Sequence, residues 1–438
     1  MPLTGSHRSP SRTFPEGYNL FGYLTSNLGL GVAARNTAHL LMNRGSRVRL
    51  TDVNPGGGMQ GADDSLASAI ARTERLGPFS ANIFHVNPDQ IAYLFRPGRY
   101  DVPIDGVLQT CVPFWELPRL PAAWIEPLSA MDAILAPTLF VRDSVLRDLP
   151  HARVLHYPQA VRVPEGIVAD RARFGIDRDA TAFCMSFDMR SDLERKNPGG
   201  VIEAFQRAFE GREDVRLVIK ANNVTTAAGL PAHLDRLKAM STDPRVTVLD
   251  RPMTYREILT LYASCDVLVS LHRAEGLGLS LLEAMALGRP VIATGWSGNM
   301  DFMTPDNSCL VPFRMVPVRA STQPAYAKGF SGEQEWADPD LDEAASWMVR
   351  LADDPSLREA LGERARADAT QVLAEHDRAE VFEELVKLVP DPRHASLHRI
   401  RSLYPWHATR RIARAGWRRA KAAAVRTFAP PAPHREDD

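Results

Sequence analysis

Short apolar runs alternate with stretches whose apolar residues recur at helical spacing, and the alternation continues through most of the chain. In the first half the runs fall at residues 18–24, 48–53, 83–86, 106–110 and Ala133–Ala136. In the second half they fall at 182–187, 215–219, Val246–Leu249, 267–271, Val291–Thr294 and Cys309–Val311. Between them lie helix-period stretches such as 199–209, 255–263 and 279–287, and three amphipathic helices close the pattern at about Leu341–Asp353, 355–369 and 375–388. Continuous apolar strands separated by helices predict parallel sheets covered on both faces. The strands are too many for one sheet of ordinary size. The segment 158–179, with Pro158, Pro164, Gly166 and several charges, is the natural break. The expectation is α/β: two doubly wound domains with parallel sheets facing a cleft. Residues 314–338, rich in Pro, Gly and Ser, read as an irregular loop.

A chain of 438 residues is long for a single core, which agrees with two domains. Its net charge of -1 argues against the whole chain being a polyanion binder, so no nucleic acid partner is expected. The four cysteines, Cys111, Cys184, Cys265 and Cys309, are far apart in sequence and form no close pair. That spacing fits a reducing compartment without a disulfide framework or zinc site, with Cys184 and Cys265 as small core residues. Residues 1–15 carry no apolar signal core, and no stretch approaches the ~18 apolar residues that span a bilayer. A cytoplasmic location is expected, peripheral at the inner face of a membrane if the tail docks there.

The segment 267–294 carries the most chemistry. A buried-type strand, Val267-Leu268-Val269-Ser270-Leu271, is followed by Glu275, a turn with Gly276 and Gly278, a helix through Leu287, and the stop Gly288-Arg289-Pro290. Amides at the helix start favour a phosphate. Glu275 before the turn suits sugar hydroxyls, and Glu283 about one turn into the helix suits a ribose diol. Two glutamates alone are commonly solvated acids; the strand, the glycines and the following Pro290-Val291-Ile292 strand entry reverse that balance.

This segment resembles the E-x7-E motif of retaining nucleotide-sugar glycosyltransferases with the GT-B fold, family 4-like, group 1. The likeness continues through Ala284-Met285-Ala286-Leu287-Gly288-Arg289-Pro290-Val291-Ile292-Ala293-Thr294 to Ser297-Gly298-Asn299. It implies two Rossmann-like domains, with Glu275 against the donor sugar, Glu283 on the ribose, and Gly276, Leu277, Gly278, Leu279 and Ser280 around the sugar and diphosphate. The implied organisation is an acceptor-side domain at 14–165, a donor domain at 166–375, a helix crossing back at 376–392 and a basic amphipathic tail at 393–438.

A leaving diphosphate develops negative charge, and fixed cations aimed at it lower the barrier. The run 186–198 follows the first strand of the second domain, where relatives hold the diphosphate with an Arg and a Lys. Lys196 matches the lysine. Either Arg190 or Arg195 supplies the arginine, and Arg195 is preferred; the spacing departs from the shorter family loop. No metal is expected and no cofactor beyond the nucleoside diphosphate sugar itself, because no ligand cluster has metal spacing and Asp63-Asp64 does not match the Asp-x-Asp motif of the other common fold.

Asn27-Leu28-Gly29-Leu30-Gly31 follows the first strand and opens a helix through Leu41, which resembles the glycine loop of the family's first domain and places Gly31 near the donor. Phe114-Trp115-Glu116 follows the strand 106–110 at a carboxyl edge. Trp115 suits stacking on an acceptor sugar or packing in the core, and Glu116 suits hydroxyl recognition or base catalysis. His272 is expected to line the donor site. Residues 250–253, including Met253, are expected at the base, and Trp296 to Asn299 at the sugar. His85 reads as structural.

From Pro392 to His434 there is no acidic residue, and Arg410, Arg411, Arg414, Arg418, Arg419 and Lys421 recur with interleaved Ile412, Trp417 and Val425. That pattern suits a helix on an anionic membrane surface, useful for a lipid-linked acceptor. The expected activity is transfer of a hexose, mannose by resemblance, to a glycan or lipid-linked glycan hydroxyl with retention. The rivals are an epimerase or phosphorylase of the same fold and a catalytically inactive glycan-binding protein.

Overall fold

The computed structural model describes residues 14–53, 63–96, 98–104, 106–189, 191–222, 235, 237–239, 241–318, 334–378 and 380–388. Arg190 and the basic tail 393–438 lie outside the described residues. Among the described residues no helix is long and apolar enough to cross a membrane.

The first sheet contains β1 (Tyr18–Gly22), β2 (Val48–Asp52), β3 (Ala81–His85), β4 (Leu108–Cys111), β5 (Ala133–Ala136) and β6 (Val154–His156), in the order β2-β1-β3-β4-β5-β6. The second contains β7 (Thr181–Asp188), β8 (Val215–Asn222), β9 (Val246–Leu249), β10 (Val267–Ser270), β11 (Val291–Thr294) and β12 (Cys309–Val311), in the order β12-β11-β10-β7-β8-β9. Every pairing within the two sheets is parallel. Two doubly wound α/β domains result.

The apolar runs are continuous because each sheet is covered on both faces. In β7, Phe183, Met185 and Phe187 enter one core while Ala182 and Cys184 enter the other. In β1, Phe21 enters one core and Leu20 the other. Helices Gly29–Asn43, Pro198–Ala208, Tyr255–Ser264 and Leu279–Ala286 provide part of the cover. The last described helix, Glu380–Lys387, returns to the first sheet: Phe382 packs against Tyr18 and Tyr157, and its carbonyl accepts a hydrogen bond from the Tyr18 hydroxyl at 3.2 Å.

The structure departs from the sequence reading at several places. The run expected at 106–110 becomes β4 at Leu108–Cys111, because Gly106 takes a left-handed turn at φ 73°. β6 is three residues long and only half-buried, too short to register as an apolar run. The region expected to be a loop at 314–338 instead contains the stems of an antiparallel pair, β13 (Phe313–Pro317) and β14 (Glu335–Pro339), which set Arg314 opposite Asp338 in an ion pair at 2.8 Å. The helix expected to end at 369 runs unbroken over Pro355–Arg378. Cys184 and Cys265, distant in sequence, meet in one core as free thiols; hydrogen bonding to Cys265, together with burial, pushes the Cys184 thiol well above its ordinary range.

Candidate active site

The order of the second sheet reverses between β7 and β10, with β8 and β9 on one side and β11 and β12 on the other. In doubly wound sheets the crevice at such a reversal, outside the carboxyl ends of the strands, is where ligands bind. The loops that leave β7 and β10 there are stitched together. The Arg273 amide donates to the Arg195 carbonyl at 2.7 Å, Asn197 Nδ2 to the Leu271 carbonyl at 2.9 Å, and Arg195 Nη1 to the Ala274 carbonyl at 2.7 Å. Asn197 manages this by sitting at φ 53°, where it ends the short helix Leu193–Lys196 and caps the next through Gly200 N–H.

Within this frame Lys196 Nζ is ion-paired and hydrogen-bonded to Glu275 Oε1. Arg195 Nη1 lies 3.5 Å from Glu275 Oε2, and Arg195 Nη2 lies 3.3 Å from Glu116 Oε1 across the cleft. Burial alone would raise the Glu275 carboxyl, but Lys196 and then Arg195 outweigh it and hold the group at about 2. Its backbone is also fixed: the Glu275 amide donates to Ser297 Oγ at 2.8 Å, and its carbonyl accepts from the Gly298 amide at 2.9 Å.

Helix Leu279–Ala286 starts at Gly278 (φ 88°) with no capping side chain, so its first amides open onto the cleft. Glu283 is one turn further on and 4% exposed. Burial pushes its carboxyl up to about 8, with Tyr255 and Arg35 pulling the other way. The buried Tyr255 hydroxyl has no hydrogen-bond partner of normal geometry among the described residues, although Glu283 is near enough to shift it. The two carboxyls are therefore shifted in opposite directions: Glu275 down, held by two cations, and Glu283 up, by burial.

The cavity so formed is about 320 Å³ and is lined by both domains. From the second domain come Arg195, Lys196, Glu275 and Glu283, with Gly276, Leu277, Gly278, Leu279 and Ser280 forming the turn. From the first come Glu116, Asn27, Leu30, Asn87 and Phe114. Gly276 is a point of close contact between the domains; a Cβ there would lie 2.8 Å from the Trp115 carbonyl oxygen, and Thr138 Oγ1 donates to the Gly276 carbonyl at 2.9 Å.

Several residues are placed otherwise, or more narrowly, than in the sequence reading; Trp296, expected at the sugar, lines no part of this cavity and packs edge to face on Phe140 instead. Trp115 is buried against Trp124, with its indole N–H bonded to the Arg119 carbonyl at 2.7 Å, so packing in the core is its observed state; Glu116 next to it turns into the cleft. Gly31 sits behind the cleft lining, where a Cβ would lie 2.3 Å from the Ser26 carbonyl oxygen, so it serves close packing of the helix start on the preceding loop. Met253 is a core residue whose carbonyl accepts from Asn27 Nδ2 at 2.7 Å, a contact between domains. His272 is fully buried behind Glu275, burial lowers it to about 4, and neither ring nitrogen has a hydrogen-bond partner. Tyr255 and Asn87, which line the cleft, and Arg35, which lies within electrostatic reach of Glu283, were not singled out from sequence, since only the folded chain brings them together. Among the described residues no group of three or more His, Cys, Asp or Glu side chains gathers as metal ligands.

Residues 186–319, which contain the whole second-domain half of this cleft, match the family model described as glycosyl transferases group 1. Sucrose-phosphate synthase from Thermosynechococcus elongatus superposes with a TM-score of 0.60 at 12% identity, covering 85% of this chain and 99% of that one. The fold is that of the GT-B glycosyltransferases. A second GT-B structure, HepE of Anabaena in complex with UDP and glucose, matches with a TM-score of 0.55 at 14% identity over 85% of this chain and 100% of that one. A curated GDP-mannose-dependent monoacylated alpha-(1-6)-phosphatidylinositol monomannoside mannosyltransferase from Corynebacterium glutamicum is 24% identical over 233 residues, 50% of this chain and 51% of that protein. The chain thus aligns with about half the length of the curated relative it matches.

Proposed function

We propose that this chain is a retaining, metal-independent glycosyltransferase that moves a hexose from a nucleoside diphosphate sugar to a glycan or lipid-linked glycan hydroxyl. The observation that carries the reading is the pairing of Glu275 with Lys196 and Arg195 at the sheet reversal, with a buried Glu283 one turn into the helix that follows. The donor sugar rests against Glu275, the diphosphate against Lys196, Arg195 and the amides of Leu279 and Ser280, and the ribose diol against Glu283. As the glycosidic bond breaks, electrons pass to the diphosphate oxygen, and the two cations stabilise that charge without a metal. The acceptor hydroxyl enters from the Glu116 side, on the same face as the departing phosphate. The phosphate oxygen takes its proton, and the anomeric configuration is kept. Glu275 and Glu283 both bind the donor and are not an acid/base pair of the glycosidase type. GDP-mannose is the donor proposed, supported by the name of the corynebacterial relative and the sequence resemblance.

The test is a panel of GDP-mannose, UDP-glucose and ADP-glucose, read as nucleotide release and as the anomeric NMR signal of the product. GDP-mannose turnover with an α product is expected. A β product removes retention, and absence of both turnover and nucleotide-induced thermal shift removes the transferase reading.

A cytoplasmic, membrane-peripheral location belongs to the same reading, with the basic tail lying on anionic lipid. Removal of residues 399–438 is expected to release the protein from phosphatidylserine liposomes in a pelleting assay; unchanged pelleting removes the tail from that role.

A further inference from the structure

A second cavity, of about 470 Å³, shares no lining residue with the first. Both domains contribute to it: Pro118, Arg119, Phe140 and Arg147 from one, Trp296 and Glu335 from the other. It backs directly on the loops that hold Glu275 and Glu116. Thr138, bonded to the Gly276 carbonyl, caps the helix Leu139–Asp148 that forms one wall, and Ser144 of that helix donates to the Leu117 carbonyl at 3.0 Å. Trp296 immediately precedes Ser297, which fixes the Glu275 amide.

The chemistry of the lining is specific. Phe140 and Trp296 meet edge to face at 5.3 Å, and both are half-buried, so ring surface stays open to the cavity. Arg119 is already paired with Asp148 and Asp143 with Arg142. The Trp296 indole N–H, the Arg147 guanidinium and the Glu335 carboxylate, by contrast, have no hydrogen-bond or ion-pair partner among the described residues. An aromatic surface ringed by one N–H donor, one cation and one anion does not select a charged ligand. It suits a neutral ring with an apolar C–H face and hydroxyls on its edge, and its volume is in the range of small-molecule sites.

We propose that this cavity is a second carbohydrate subsite, which binds a sugar residue of the acceptor glycan away from the point of transfer; the acceptor part of this statement rests on the transferase reading. The stretch from Glu116 in the first cavity to Arg119 in the second spans at most about 10 Å of extended chain, a separation within the length of a short oligosaccharide. The subsite then selects acceptors by length and leaves the donor site unchanged.

Calorimetric titration of the full chain with α-linked mannotetraose and with maltotetraose measures the site directly, and transfer to methyl α-mannoside against mannotetraose measures its use. Binding of one tetrasaccharide is expected. In Arg147→Ala and Glu335→Ala, both at exposed positions, that binding is expected to weaken about tenfold, the size of one lost hydrogen bond to a charged group, and in Trp296→Phe, which keeps a stacking ring but loses a neutral N–H, about threefold. Nucleotide binding and the KM for methyl α-mannoside are expected to stay unchanged. The proposal is overturned if neither tetrasaccharide binds a wild-type protein that binds nucleotide, or if all three variants bind it as the wild type does. If instead no nucleotide binds and no sugar is transferred, the transferase reading fails while the tetrasaccharide titration still decides the subsite.

Discussion

Lys196→Ala is expected to lower sugar-nucleotide turnover by about three orders of magnitude, roughly 4 kcal/mol of lost transition-state stabilisation. The size follows from what Lys196 touches. Its ammonium is largely buried and paired with Glu275 in the cleft, where the proposed mechanism puts the leaving diphosphate. The same variant should melt lower at pH 7 by about 2 kcal/mol, because it leaves a buried carboxylate facing Arg195 alone. The pH dependence separates the two effects. Glu275 is held at about 2 in the folded chain against an ordinary value of 4.5. A depressed acid contributes stability above its unfolded value and loses it as pH falls through the folded value. The difference in stability between wild type and variant should therefore be full at pH 6–7, shrink below 4.5 and be largely gone by about 2, whereas the loss of turnover should persist wherever both proteins are folded. Melting curves at stepped pH, with turnover at pH 7, check this. Wild-type turnover in Lys196→Ala would take Lys196 out of the mechanism.

The second-domain half of the cleft was legible because its parts are contiguous. A strand, an acid, a glycine turn and a helix occupy 267–287 in one unbroken run, and their geometry follows from local rules. Lys196 was legible because it sits in the loop leaving the neighbouring strand of the sheet reversal. What local rules do not settle is which of two adjacent side chains faces the cleft, and Trp115 and Glu116 show it: the indole turns into the first domain's core while the carboxylate turns towards Arg195. His272 follows the strand alternation of Val267, Val269 and Leu271 into the opposite, covered side, so a histidine three residues before Glu275 ends up behind it. The bridge from Glu275 through Arg195 to Glu116 joins residues from both domains, and nothing in either segment alone encodes the meeting. The same holds for Arg35, which comes from the first domain to within electrostatic reach of Glu283. The β13–β14 stems were hidden by the Pro, Gly and Ser content between them.

Glu283→Gln is expected to stabilise the ligand-free protein at alkaline pH while weakening nucleotide binding about thirtyfold, near 2 kcal/mol for a lost charged hydrogen-bonding group. Burial raises the Glu283 carboxyl to about 8, far above its ordinary 4.5. In this direction the folded chain holds a proton that the unfolded chain releases, so its stability is full below 4.5 and falls as pH rises through 8. Glutamine does not titrate, so the variant should lack that decline and gain on the order of 2 kcal/mol over wild type at pH 9, a figure kept modest because Glu283 also lines the open cleft. Arg35 does little to relieve the cost, since its own guanidinium is committed to Asp63 at 3.1 Å. A ribose diol changes the balance by donating hydrogen bonds to the carboxylate, which favours the ionised form. Nucleotide binding near pH 7 should therefore release a proton from the wild type. That release is measured as the slope of calorimetric enthalpy against buffer ionisation enthalpy, and it should fall towards zero in Glu283→Gln. The combination discriminates sharply: a residue that only packs would change stability and leave the slope alone. A variant with unaltered nucleotide affinity and an unaltered slope would remove Glu283 from the ribose and leave its burial as a purely structural feature of the helix.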